Sequence, residues 1–422
     1  MSALAPESAW AQGRTWAGES LAQMVDSARW RLGFMRANGS FELINTGYDS
    51  DIYYGYLPAP VPDFTLSAGA RIQLLIPVNK SIVIDLYEYP QYVFYLATEK
   101  ERAWNNRFRG QMHIALKKVY FQAGGSLSDV RNRLSPELDV NIREKTDRLD
   151  GVALWQVSRQ TSLAVVYGRA KHDFGESIYE GQNIARALNR VEDMADLNIY
   201  VQPSSRIRFS LNGQYGNYDF LDETDPSRDA QSYGIFGGLE FISKEGEVLE
   251  ATGIEEGFSL GYQALDIKDP YFVDGSGLTG QGDISFQLLK RTRLRTFFFR
   301  GFQFSIYSGV SYYVATILGG GVSRQFSRRT ALRYDLSYGR IYYPTVATGT
   351  GVPEGFFTHY VAHTISLELR LSRILMMTGF AALGNRVMEE NDVARTRNFF
   401  GINIFYGYPP ARISAPVRVM AQ

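Results

Sequence analysis

No cysteine occurs among the 422 residues, which excludes a disulfide framework and any thiolate-bound metal. Histidine is nearly as scarce. Of the four, His113, His172, His359 and His363, only the last two are close in sequence, and no carboxylate or cysteine near them completes a ligand set. Net charge is missing too: 44 Lys plus Arg balance 44 Asp plus Glu, and the basic residues are dispersed, so nothing draws the chain to nucleic acid. Long apolar runs are absent. The longest, Ile374 to Leu383, is too short for a helix crossing roughly 30 Å of hydrocarbon.

What the chain has instead is 14% aromatic residues and 40 glycines, which suits one large all-β domain. Arg206 to Tyr215 shows the governing pattern. Ile207, Phe209, Leu211 and Tyr215 fall on one face, and Arg206, Arg208, Ser210, Asn212 and Gln214 on the other. The same alternation returns around Leu332 to Tyr338 and Thr364 to Leu371. These segments reach about 10 to 16 residues, where globular strands average about five or six. Tyrosines near their ends suit the headgroup level of a bilayer; Tyr215, Tyr218, Tyr338, Tyr342, Tyr343, Tyr406 and Tyr408 are candidates for that girdle.

Connections supply the topology. Short joints such as Pro77 to Lys80, Val157 to Gln160, Ser327 to Arg329 and Ser372-Arg373 follow every second strand, and long polar, glycine-rich loops follow the others. The pattern predicts an all-β, transmembrane, up-and-down antiparallel β-barrel of about 18 strands, with 16 as the alternative. Short joints become periplasmic turns and long ones outside loops. Two connections break the rule: Ser243 to Glu256 is long on the turn side, and Tyr307 to Ser311 is short on the loop side.

Residues 1–12 end in a small-x-small pattern, Ala9-Trp10-Ala11, and read as the remnant of an export signal. Residues 13–38 read as a periplasmic segment with a short helix, 39–408 as the barrel and 409–422 as a tail. In the helix, Leu21, Met24, Val25 and Ala28 share one face, as expected of a periplasmic lead-in or a helix at the barrel mouth, with a plug or partner-docking helix as the alternative.

Gly47-Tyr48-Asp49-Ser50-Asp51-Ile52-Tyr53 and the hinges Val157-Ser158-Arg159-Gln160-Thr161-Ser162-Leu163 and Phe326-Ser327-Arg328-Arg329-Thr330-Ala331-Leu332 carry a resemblance. The chain resembles the outer-membrane β-barrel porin family that accompanies exopolysaccharide export loci, with Asp49-Ser50-Asp51 where that family usually has Asp-x-Asn. The resemblance implies a bacterial outer-membrane barrel that serves as the exit for a secreted polysaccharide. Implied partners are outer-membrane lipid, the barrel-assembly machinery, a periplasmic polysaccharide-export protein and the polymer. The segment Phe400 to Tyr406 is similar to the closing strand that assembly machinery recognises.

No residues point to a cofactor, a metal or a catalytic centre. Ser366 near His363 invites an outer-wall hydrolase, but Ser366 falls on the polar, inward face of its strand. Gly319-Gly320-Gly321 lacks the lysine-serine pair and following helix of a phosphate loop, and reads as relief of crowding. The candidate lumen lining is Asp85, Tyr87, Tyr89, Gln91, Tyr95, Arg206, Arg208, Gln214, Arg333, Asp335, Glu368 and Arg370. Tyrosines interleaved with amides and charges suit a saccharide-contacting wall, because sugar rings stack on aromatic faces while hydroxyls bond polar groups. Without the resemblance, the same barrel reads as a passive porin for small hydrophilic solutes.

Overall fold

The alternating segments form eighteen long antiparallel strands. In the computed structural model they are β1 Met35–Asp49, β2 Asp63–Pro77, β3 Ile82–Tyr95, β4 Ala103–Ala115, β5 Val119–Asn132 and β6 Ile142–Gln156. Next come β7 Thr161–Phe174, β8 Arg190–Ser204, β9 Ile207–Phe220, β10 Ala230–Phe241, β11 Ile254–Ile267 and β12 Gly275–Leu289. The last are β13 Thr292–Phe304, β14 Tyr312–Ser327, β15 Thr330–Tyr342, β16 Phe357–Arg370, β17 Leu375–Met388 and β18 Val393–Gly407. The structure describes residues 17–408 except 54–58, 134–136, 139, 180, 205, 222–226, 242–253, 308, 345–356 and 389–392, so the signal remnant and the tail lie outside the described residues.

Each strand pairs with its chain neighbours, and β1 also pairs with β18, which closes the ring. Closure gives every strand a partner on both sides, the condition for a sheet in hydrocarbon. The two faces differ as the alternation requires. On β9, Phe209, Leu211 and Tyr215 are exposed on the outside while Arg208 is buried inside. Tyr338 and Tyr406 are also exposed outward, but Tyr218 and Tyr343 are buried and leave the expected girdle.

Turns and loops fall on opposite ends of the barrel. The recurring joint serine explains the turns: Ser158 Oγ accepts from the backbone N–H of Gln160 and Thr161, and Ser372 Oγ from Ile374 and Leu375. These bonds satisfy donors exactly where the ladder reverses. The irregular connection 242–253 joins β10 to β11 on the turn side, outside the described residues.

The seam between β1 and its neighbours contains a device that alternation hides. Pairing shifts register near Asn45, whose φ is 52°, so inward residues change from even (Asn38, Ser40, Glu42) to odd (Asp49) within one strand. Such a bulge bends the strand and re-aims its side chains. Beside it, a Cβ built on Gly47 would overlap the Phe400 carbonyl oxygen and Gly401. Gly47→Val is therefore expected to destabilise closure by about 2 kcal/mol or more, since overpacking against backbone has no side chain to yield. The urea midpoint of the compact, heat-modifiable gel band measures this, and an unchanged midpoint would refute it. The Asp49-Ser50-Asp51 motif shapes the first loop: Asp49 pairs with Arg397, and Asp51 Oδ1 accepts from the N–H of Tyr53 and Val61.

Helix α1, Ala17–Ser27, buries the face formed by Leu21, Met24, Val25 and Ala28. It does not rest outside the mouth. These side chains pack on Leu75, Val83, Ala115, Tyr120, Leu154 and Ala164, all on the inward faces near the turn ends of their strands. The helix thus lies against the inner wall at the turn end of the barrel. A short strand, Trp30–Leu32, joins it to the wall by pairing with the start of β1.

Candidate functional site: the barrel lumen

On β3 the odd-numbered residues point inward. Asp85 is buried, accepts from Gln73 Nε2 at 3.0 Å and pairs with Arg109 at 3.2 Å. The Tyr89 hydroxyl donates to Glu42, which also pairs with Arg71 at 2.8 Å. Gln91 Nε2 donates to the Tyr89 oxygen at 3.0 Å, and the Arg71 and Arg109 guanidinium groups lie over the rings of Tyr89 and Tyr87. Near the loop end, Tyr95 accepts from Asn141 Nδ2 at 3.3 Å. Strands β1 to β4 therefore present one continuous wall of tyrosine, amide and paired charge.

Glu42, Arg71, Gln73 and Arg109 complete this wall and were not among the expected lining. Arg71 and Gln73 were readable, because they alternate with Ile72, which is exposed outside. Glu42 was not, since the bulge breaks its parity with the rest of β1.

The remaining candidates are spread around the ring rather than gathered there. Arg208 pairs with Glu240 across β9 and β10, Gln214 stands opposite Asp196, and Arg333 pairs with Asp335 at 2.5 Å on β15. Glu368 and Arg370 pair at 3.5 Å near the turn end of β16. Arg206 is a correction: it sits in the turn before β9, exposed at the rim, because the strand begins at Ile207. Pairs of this kind stiffen the wall and leave a hydrophilic surface. The triple glycine makes room, as a Cβ on Gly319 would strike the Phe297 ring and one on Gly321 the Asp335 carboxylate.

A hydrolytic pair is ruled out by geometry. His363 shares the outward face with Tyr334, whose hydroxyl lies 2.8 Å from its Nδ1, whereas Ser366 has the opposite parity on the same strand. His359 makes the equivalent outward contact with Tyr338 at 2.6 Å.

At the loop end, the described residues of the short connection between β13 and β14, the second break in the loop rule, narrow the mouth. They fold inward and reach the loops on the far side. Ile306 packs in a cluster with Leu138, Ile142, Phe174, Tyr179 and Ile184. The backbone N–H of Ile306 and the Ser305 hydroxyl donate to the two oxygens of Glu137 at 3.0 and 2.6 Å. Arg228, buried, donates to the carbonyls of Ala187, Ser305 and Tyr307. Burial raises the Glu137 carboxyl to about 7 despite its donors, and lowers Arg228 to about 10. Two inward-folded segments thus narrow the lumen, α1 at the turn end and this hairpin tip at the loop end.

Solved structures with low sequence identity share the fold. The outer-membrane protein opdK from Pseudomonas aeruginosa is 10% identical, with a TM-score of 0.52 over 89% of this chain and 100% of that one. OccAB2 from Acinetobacter baumannii is 11% identical, with a TM-score of 0.50 over 92% of this chain and 99% of that one. No curated protein matches the sequence. The family model described as "Putative beta-barrel porin 2" matches residues 139–378, more than half of the chain. This protein is therefore a β-barrel of the bacterial outer membrane and belongs to that porin family.

Proposed function

We propose that the barrel is a gated exit channel for a secreted saccharide polymer. The observation that carries this reading is the β1 to β4 wall, where the half-buried Tyr87 and Tyr95 share the inward face of one strand with Gln91, and Tyr89 and Asp85 are buried beneath them. A hydrated sugar chain needs both ring faces to stack on and polar groups for its hydroxyls. Neutralised charges suit it as well, because Asp85 and Glu42 each face an arginine and leave little field to repel or trap an uncharged polymer. The resemblance noted from the sequence supports the same reading, and α1 stands where a periplasmic export partner would meet the channel and displace it.

A strain lacking the protein is expected to lose extracellular polysaccharide; unchanged secretion would overturn the proposal. In planar bilayers, a barrel freed of both closures should show transient current blockades by a neutral oligosaccharide. Tyr87→Ala with Tyr95→Ala should shorten those blockades about tenfold, since two aromatic contacts at about 0.5–1.5 kcal/mol each are removed. Blockades of unchanged duration, with normal secretion, would favour a passive porin for small hydrophilic solutes.

A further inference from the structure

The wall between β12 and β13 is zipped over only part of its height. β12 pairs with β11 as far as Gly275, and β13 pairs with β14 as far as Phe304. The last partners between β12 and β13, however, are Gly280 and Arg300. Above them, residues 275–279 and 301–304 part company on the loop side of the barrel.

Beyond the fork, the ends of β13 and β14 bend into the lumen. Phe302, Phe304, Tyr312 and Val314 carry the parity of the lipid-facing Leu318, yet they pack on Tyr218, Ala230 and Leu265 of the inner wall. Phe304 meets the Tyr218 ring edge-on at 4.9 Å, and the Tyr312 hydroxyl donates to the Asp274 carbonyl at 3.2 Å. A cavity of about 120 Å³ lies in the overlap. Inward residues Gln214, Gln263 and Thr279 line it, and so do Arg300 and Phe302 with outward parity. The exposed Arg300 stands at the outer side of this cavity, beside the unpaired stretch of the wall, and the rest of its lining faces the lumen.

Unpaired strand edges are costly in hydrocarbon, several kcal/mol for each unsatisfied group. Here a cation spans the fork. Arg300 Nε donates to the Leu278 carbonyl at 3.0 Å and Nη1 to the Thr316 hydroxyl at 2.7 Å. Leu278, 69% exposed, is the register partner of the outward-facing Tyr262, which sets the fork at a girdle level, where headgroups rather than acyl tails surround a guanidinium.

We propose that this fork is a lateral portal for a single-chain anionic amphiphile, such as a fatty acid, with Arg300 binding its headgroup and the phenylalanine-lined cavity admitting its tail. Charge selects the head. Size selects the tail: the cavity compares with the roughly 150 Å³ apolar cavity that accepts benzene, enough for a segment of one chain and too small for two. The route runs between membrane and lumen, so it stands independently of the polymer-exit reading.

The absence of cysteine makes a clean test. Gln263→Cys carrying a trifluoroethyl label, reconstituted in nanodiscs, reports a nitroxide that reaches the cavity through broadening of its fluorine signal. Doxyl-stearate should broaden it saturably, while doxyl-phosphatidylcholine in the same membrane should not. Arg300→Gln should weaken half-saturation about tenfold, as expected for loss of one charge-assisted contact. Arg324→Gln, exposed on the outward face at the opposite, turn end of β14, should leave it unchanged, and all variants must keep the heat-modifiable mobility of the native barrel. Should Arg300→Gln fail to fold, the wild-type background still decides through a neutral doxyl alcohol, which should bind about tenfold more weakly than the acid. No broadening by doxyl-stearate, equal broadening by the two-chain lipid, equal binding of acid and alcohol, or no effect of Arg300→Gln would each overturn the proposal.

Discussion

A barrel lacking residues 17–27 and carrying Glu137→Ala should conduct ions about tenfold or more above the intact protein, approaching the open aqueous channel of other 16- to 18-stranded barrels. Either change alone should leave the current close to that of the intact protein, because two obstructions in series are governed by the tighter one. The physical case for each removal is separate. An isolated helix of eleven residues is marginal in water, so α1 persists only through docking of Leu21, Met24, Val25 and Ala28 on the inner wall. Deleting it leaves the strand ladder untouched, since closure of the ring rests on β1 pairing with β18. Glu137→Ala strands two buried donors, the Ser305 hydroxyl and the Ile306 N–H, at about 1–3 kcal/mol each. That penalty is comparable to what the folded-in tip gains by packing Ile306. Planar-bilayer recordings of the two single variants and the double variant decide the matter. A large current from one single variant would show that only one closure matters.

The extracellular closure should also loosen as pH rises. In the closed tip the Glu137 carboxyl titrates at about 7, up from its ordinary 4.5, chiefly because it is buried; Ser305, Ile306, Tyr343 and Arg228 pull the other way. A group whose closed-state value is raised binds its proton more tightly there than in the opened loop. The closed form is therefore fully favoured below about pH 4.5 and loses up to about 3 kcal/mol as pH climbs through 7. Conductance of the helix-deleted barrel, and protease access to residues 305–311, are expected to rise between pH 5 and 8. Glu137→Gln removes the titrating proton and should flatten the profile. A profile as steep in Glu137→Gln as in the parent would assign the response to another group.

How much of this was legible in the sequence depended on the range of the interactions. Strand number and the parity of turns and loops were readable because alternation and joint chemistry are local, as at Ser158 and Ser372. The buried face of α1 followed from the spacing of Leu21, Met24, Val25 and Ala28, yet its position inside the mouth depended on wall residues as distant as Tyr120 and Leu154. Asn45 carried no warning of the bulge that reverses parity in β1. Tyr218 shares the inward parity of Arg208 and Gln214, which strict alternation along β9 already encodes, whereas the burial of Tyr343 depends on the folded hairpin tip. The short connection near Tyr307 stood out as an exception to the loop rule. Its meaning lay in bonds from Ser305 to Glu137, 168 residues away, which no local pattern encodes. The fork between β12 and β13 was hidden for the same reason.

The most direct measurement of the whole account is a single-cysteine scan of β9 in the naturally cysteine-free chain, reconstituted in bilayers. Bimane at positions 209, 211 and 215 should be quenched by brominated lipid and resist an aqueous thiol reagent. Positions 208, 212 and 214 should escape the lipid quencher. Loss of that two-residue period, with lipid reaching both faces or neither, would contradict a membrane barrel with a hydrophilic interior.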